Sequence, residues 1–310
     1  MTWLITGGAG YIGAHIVREF LNDGQEVVVY DSLLSGLRSR IPNGCHLVQG
    51  DIRDIDNLKS VFQKNSVKGI IHLAALKSVH ESIRNPDLYR EINEVATKNV
   101  IKLAETFGIE KFIFSSTAAV YGNPKLGIVG EEVPARPVSP YGASKLAAEK
   151  FLAQEITSNR ISGTSLRYFN VVGAADKSLI DISQNNLVPI LVAKIRQNEQ
   201  PEIFGTDYPT PDGTCIRDYV DVKDVARAHL KASKVVNFLP SKINIGTGAG
   251  HSVREVIKTL AAVTNLNLDP IELPRREGDA TELVAKVDLA RDLMQFNSKV
   301  TLTDSISSII

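Results

Sequence analysis

The chain has 310 residues, with 35 Lys and Arg balancing 35 Asp and Glu, so its formal net charge is zero. This balance excludes a surface built mainly to neutralise nucleic-acid phosphates. At 43% hydrophobic and 23% charged residues, the composition also excludes disorder and collagen-like repeats.

Two cysteines, Cys45 and Cys215, supply neither a disulfide framework nor a metal-ligand cluster, and no metal is expected. Met1 to Thr6 run straight into glycines, which leaves no room for a secretory leader. No apolar run reaches the roughly 20 residues of a membrane-spanning helix. A cytoplasmic protein is expected, with no membrane and no nucleic-acid partner.

Short β-branched runs then alternate with segments of helical period. This patterning predicts strands over Thr2 to Thr6, Glu26 to Tyr30, His46 to Gln49, Gly69 to Leu73, Lys111 to Ser115 and Gly163 to Arg167. Helices are predicted between them over Gly13 to Asn22, Ile55 to Lys64, Leu88 to Phe107 and Tyr141 to Thr157. Beyond about residue 170 the loops grow rich in Asn, Pro, Gly and Asp, although Asp221 to Ser233 and Ser252 to Thr264 still read as helices and Lys242 to Ile245 as a strand. The expected fold is α/β: a doubly wound parallel sheet of Rossmann type over residues 1–170, to which later segments return, and a smaller, interleaved substrate lobe over residues 171–310.

Gly7, Gly8, Gly10 and Gly13 lie between the first strand and the first helix. There a missing side chain permits a tight turn, close approach of a pyrophosphate and helix-to-strand packing. Asp31 stands eighteen residues after Gly13 at the next strand end, where a carboxylate accepts both ribose hydroxyls of an adenosine and repels a 2′-phosphate. NAD is favoured over NADP; Arg38 and Arg40 keep NADP open, and Asp31 as a turn cap is the plain alternative. Asp51 and Ile52 could flank an adenine, and Leu73, Ala74 and Ala75 could lie under the ribose and pyrophosphate.

Tyr141 and Lys145, four apart on a predicted helix, project from one face. A phenol is a poor base at neutral pH until a neighbouring ammonium stabilises its phenolate. Many surface helices carry this pair without function, but Ser115, Ser116 and Thr117 add hydroxyls at the carboxyl edge of the sheet, where ligands bind in such folds.

At Thr6 to Gly13, His72 to Val79, Phe114 to Gly122, Tyr141 to Lys145 and Arg167 to Asn170 the chain resembles the extended short-chain dehydrogenase/reductase family. At Asn185 to Leu187, Ile203 to Thr210, Asp212 to Tyr219 and Arg275 to Asp279 it resembles the sugar-nucleotide epimerases of that family. The resemblance implies that Tyr141 is the acid/base, that Lys145 binds the nicotinamide ribose and tunes Tyr141, and that Thr117 hydrogen-bonds the reacting hydroxyl. It assigns Tyr11, Ile12, Asp31, Asp51, Ile52, Lys77, Asn93 and Phe169 to NAD, and Asn170, Asn186, Leu187, Phe204, Arg217, Arg276 and Asp279 to a UDP-sugar.

It also sets Leu283 beside the sugar, where a bulky Tyr excludes N-acetyl groups and smaller residues leave room. The implied activity is NAD-dependent interconversion of UDP-galactose and UDP-glucose through a transient 4-keto sugar, in a homodimer joined through helices near Leu88 to Phe107 and Tyr141 to Thr157. UDP-N-acetylhexosamines or UDP-pentoses are the alternative substrates, and a non-catalytic NAD sensor is a further alternative. Elimination of water is disfavoured, because Ala118 and Ala119 stand where the family's dehydratases carry an Asp-Glu pair.

Overall fold

The computed structural model describes residues 1–183, 186–276 and 278–310. In chain order the strands are β1 (Thr2–Thr6), β2 (Glu26–Asp31), β3 (His46–Gln49), β4 (Val67–His72), β5 (Lys111–Thr117), β6 (Ile128–Val129), β7 (Ser162–Tyr168), β8 (Asn170–Val172), β9 (Glu202–Phe204), β10 (Ile216–Asp221), β11 (Lys242–Ile245), β12 (Gly250–Ser252), β13 (Ile271–Leu273) and β14 (Glu282–Ala285). Seven of them form one all-parallel sheet in the order β11-β7-β5-β4-β1-β2-β3.

Both faces of this sheet are covered, which is why its strands are almost continuously apolar instead of alternating. The main helices are α1 (Tyr11–Asn22), α2 (Ile55–Lys64), α3 (Val79–Arg84), α4 (Pro86–Tyr89), α5 (Thr97–Thr106), α6 (Pro140–Thr157), α7 (Leu187–Arg196), α8 (Val222–Val235), α9 (Val253–Thr264), α10 (Asp288–Met294) and α11 (Leu302–Ser307). On one face Trp3, Ile5, Val29 and Ile113 pack with Ile16 and Phe20 of α1 and Val225 of α8. On the other, Leu4, Val28, Ile70 and Phe112 pack with Leu58 of α2, Val100 of α5 and Leu152 of α6. Successive side chains of β1 thus enter opposite cores, as the two-residue period of a strand requires.

The strand expected over Lys242 to Ile245 is β11 and pairs with β7, so a segment beyond residue 170 joins the large sheet. The traffic also runs the other way, because β6 leaves the first half to pair with β14. The second sheet runs β12-β10-β14-β6, with β8 also paired to β10. Its core joins Val172, Tyr219, Val188 and Leu191 of α7, Val256 of α9 and Ile306 of α11.

The helix expected over Leu88 to Phe107 runs unbroken from α4 into α5 but is not α-helical throughout. It opens into a π-helical stretch, Arg90–Ala96, between α4 and α5. Within this stretch the fully buried Asn93 turns its amide to the Leu76 backbone, accepting from Leu76 N at 2.8 Å and donating to Leu76 O at 2.9 Å. A wide turn of this type re-aims one side chain without ending the helix.

Candidate active site

The loop from β1 into α1 is packed too closely for side chains. A Cβ on Gly13 would lie 2.2 Å from Gly7 O, and one on Gly7, whose φ is +72°, would lie 2.7 Å from Ala74 N. The free N–H groups of α1 therefore open on a cavity of about 850 Å³ along the carboxyl edge of the large sheet. That volume falls within the range usual for cofactor and substrate sites.

Asp31 closes β2 with both carboxylate oxygens engaged, Oδ2 accepting from Ala9 N at 2.9 Å and Oδ1 from Leu33 N at 2.8 Å. The glycine turn and the strand end thus hold each other in register. Gly7, Gly10, Tyr11, Ile12 and Gly13 line the cavity with Asp31, Asp51, Ile52, Leu73, Ala74, Ala75 and Lys77. A dinucleotide fits this set: a cradle that a Cβ would fill, a helix N-terminus, and a carboxylate at the second strand end.

Three local arrangements qualify the expected contacts. The Tyr11 phenol is committed to Gly173 O at 2.5 Å. Asp51 pairs with Arg53 at 2.7 Å, which holds its carboxyl below the usual range. Asn93 stands behind the Leu76 loop, which it shapes.

Further along the same cavity, Ser139 caps α6 by accepting from Gly142 N, and Pro140 fills the first turn. Tyr141, Lys145 and Thr117 all line the cavity. Lys145 is 3% exposed, its Nζ donates to Ser115 O at 2.9 Å, and it stands 4.7 Å over the Phe114 ring. Burial pulls its pKa down to about 7, while the Glu149 carboxylate one turn further along works the other way. Burial also pushes the Tyr141 phenol above its ordinary value, opposed by the neighbouring Thr117 hydroxyl.

The opposite wall comes from the second sheet, the start of α7, strand β9 of the separate β13-β9 pair and the loops between them. Phe169, Asn170, Asn186, Leu187, Phe204, Arg217, Arg276, Asp279 and Leu283 all line it. Arg217 on β10 lies directly across from Leu283 on β14, and its guanidinium reaches Asp279 at 3.8 Å. The Arg276 guanidinium stacks 3.6 Å from the Phe204 ring centroid. Asn185 and Glu277, within the stretches that carry the resemblance, lie outside the described residues.

The model of the NAD dependent epimerase/dehydratase family matches residues 3–246. The chain belongs to that family. Among its relatives is the UDP-glucose 4-epimerase of Streptomyces lividans, 39% identical over 303 residues that cover 95% of this chain and 91% of that one. A UDP-glucose-4-epimerase from Stenotrophomonas maltophila, solved with bound NAD and formylated UDP-arabinopyranose, is similar over 100% of this chain and 96% of its own, at 34% identity and a TM-score of 0.94. The UDP-Glc/GlcNAc 4-epimerase of Campylobacter jejuni is similar over 99% and 97%, at 36% identity and a TM-score of 0.88.

Motif reading missed the ties that close the crevice between these walls. Asp181, buried in the loop after β8, pairs with Lys77 at 3.3 Å and accepts from Asn186. Arg40, also buried, donates to Ile180 O at 2.7 Å. Partners 104 and 140 residues apart leave no local spacing signal.

Proposed function

We propose that the chain interconverts UDP-galactose and UDP-glucose by NAD-dependent epimerisation at C4, and that it does so as a cytoplasmic homodimer. The observation that carries this reading is a single cavity with Tyr141, Lys145 and Thr117 on one wall and Arg217, Arg276 and Leu283 on the other.

Thr117 orients the reacting hydroxyl, and Tyr141 takes the O4 proton and later returns it. Lys145, as an ammonium, stabilises the phenolate that makes this possible. Arg217 and Arg276 hold the pyrophosphate as forked, permanently charged donors. Bound NAD supplies the hydride acceptor and donor at C4. The sugar, held through its nucleotide end, can then present either face to Tyr141.

Phe204 and the amides of Asn170 and Asn186 suit the base and the hydroxyls. Leu283 puts neither a hydroxyl nor an aromatic ring at its place in the cavity wall, which favours UDP-N-acetylhexosamines as a second substrate class. The homodimer reading draws on Leu88 and Val95, exposed apolar side chains beside α5 and α6. No helix among the described residues is long and apolar enough to cross a membrane.

Incubation with UDP-galactose and chromatography of the products tests the activity, which should need no added cofactor. Mass spectrometry of the supernatant from denatured protein should find NAD and not NADP. A protein that carries no nucleotide and gains no activity from added NAD would sink the proposal.

A further inference from the structure

Three consecutive residues of β5 meet three successive turns of α6. Thr117 lines the cavity beside Tyr141 and lowers its phenol pKa, Ser115 O accepts from Lys145, and the Ser116 hydroxyl donates to the Glu149 carboxylate. Tyr141, Lys145 and Glu149 stand at i, i+4 and i+8, so they share one helix face. Glu149 is 5% exposed and is gripped from β7 by Arg167, whose Nε lies 2.9 Å and Nη2 2.6 Å from its oxygens. Arg167 in turn stacks 4.8 Å from the Tyr121 ring centroid.

A buried ion pair is a costly way to fasten a helix, because a well-packed apolar pair of similar volume holds it equally well. A carboxylate does something an apolar residue cannot, which is to favour a cation beside it. The other contacts of Lys145, the Phe114 ring and Ser115 O, carry no charge, and Glu149 is the carboxylate that raises the Lys145 pKa. The titratable and charged groups that face the column are His72 on β4, and Arg167 and Tyr168 on β7; Tyr121, Glu131 and Lys242 form the next layer. His72 is held neutral between Thr6 and Thr97 and supplies no counter-charge.

We propose that Glu149 is a positioning residue for the reaction, its carboxylate keeping Lys145 an ammonium and its tether to Ser116 holding the Tyr141 turn against Thr117. The inference rests on the epimerase reading for the role of Tyr141, although the electrostatic link between Glu149 and Lys145 exists without it. Activity that needs a protonated Lys145 is lost as pH rises through the pKa of that lysine. Removing the carboxylate lowers that pKa, so the loss begins at lower pH.

The test uses the full chain as purified. Glu149→Gln is expected to move the alkaline limb of the pH profile of kcat down by about one unit or more, a tenfold change in the ionisation equilibrium. KM for UDP-galactose should stay within about twofold, because Glu149 does not line the cavity. Glu149→Asp keeps the charge and should restore the wild-type limb.

The double variant Glu149→Gln with Arg167→Met removes both buried charges together, avoids a lone buried guanidinium and should move the limb in the same direction. A readout independent of turnover is the ionisation of Lys145 itself, followed as the pH dependence of its Cε carbon-13 shift in each background. The Lys145 midpoint should fall in the double variant. A folded Glu149→Gln protein, or the double variant, with limb and lysine midpoint unmoved would overturn the proposal, whatever its melting temperature. A wild-type protein inert on UDP-galactose would instead remove the epimerase reading, leaving the lysine titration to judge Glu149.

Discussion

The two walls of the cavity are built on different principles. The first is the carboxyl edge of seven parallel strands, with α1 and α6 docked against it, and its reactive groups sit on long, regular, buried elements. The second is a patchwork in which β8, β10 and β14, only three to six residues long, place Asn170, Arg217 and Leu283 through pairings between distant segments. On the proposed reading, the chemistry, which needs sub-ångström placement, falls to the rigid wall, and recognition of the ligand's variable end falls to the assembled one. Related chains can therefore share a reaction while differing in the sugars they accept.

Acid should separate the two walls most strongly. His72 lies on β4, His229 on α8 meets Tyr168 of β7, and His15 on α1 accepts from Ala175 N in the loop after β8; burial pulls their pKa values to about 3, 4 and 4 in the order His72, His229, His15. Each is neutral when folded but takes a proton when unfolded below about pH 6.5, so stability falls with pH, by up to about 1.4 kcal/mol per unit for each histidine. On β10, burial raises the Asp218 and Asp221 carboxyls, a cost of folding that acid relieves. Amide exchange compared at about pH 7 and about pH 5, corrected for intrinsic rates, should show β1, β4 and α8 losing protection before β10. Loss in the reverse order would break the comparison.

Next in size is Tyr141→Phe, expected to cost about 10² to 10⁴ in kcat, the usual worth of a general acid-base group. Calorimetry should find UDP-sugar affinity nearly unchanged, since the ring stays. Near-normal turnover would move the chemistry off the regular wall.

Arg217→Met addresses the assembled wall and should show the opposite split. KM is expected to rise about 10- to 100-fold, from the loss of hydrogen bonds to a charged group, with a smaller change in kcat. Equal losses in both parameters would mean that Arg217 acts in the transition state as well.

The smallest effect is assigned to Leu283→Tyr, which sharpens the comparison at a single position. An overfilled pocket typically costs about 1 to 3 kcal/mol. The penalty should fall on 4-epimerisation of UDP-N-acetylglucosamine and spare UDP-galactose. Because Leu283 also packs with Val129, Phe169 and Ala285, equal losses on both substrates would mark it as a core residue only.

Read alone, the sequence determined the regular wall. Interactions that define a strand or helix repeat every two or about 3.6 residues, so the spacing of Tyr141 and Lys145, the crowding of Gly13 against Gly7 and the strand ending in Asp31 all follow from near neighbours. Short motifs also named the second wall's residues through their resemblance to a family, but not what holds them there.

Tertiary structure alone decided that Asn93 leaves the helix pattern to hold Leu76, and that β6 crosses to β14. It also decided that Arg217 faces Leu283, that Asp181 meets Lys77, and that Arg167 grips Glu149 behind the reactive lysine. These are contacts between groups far apart in the chain, and a buried donor or charge takes its partner from whatever the packing brings near, at a separation no local period encodes.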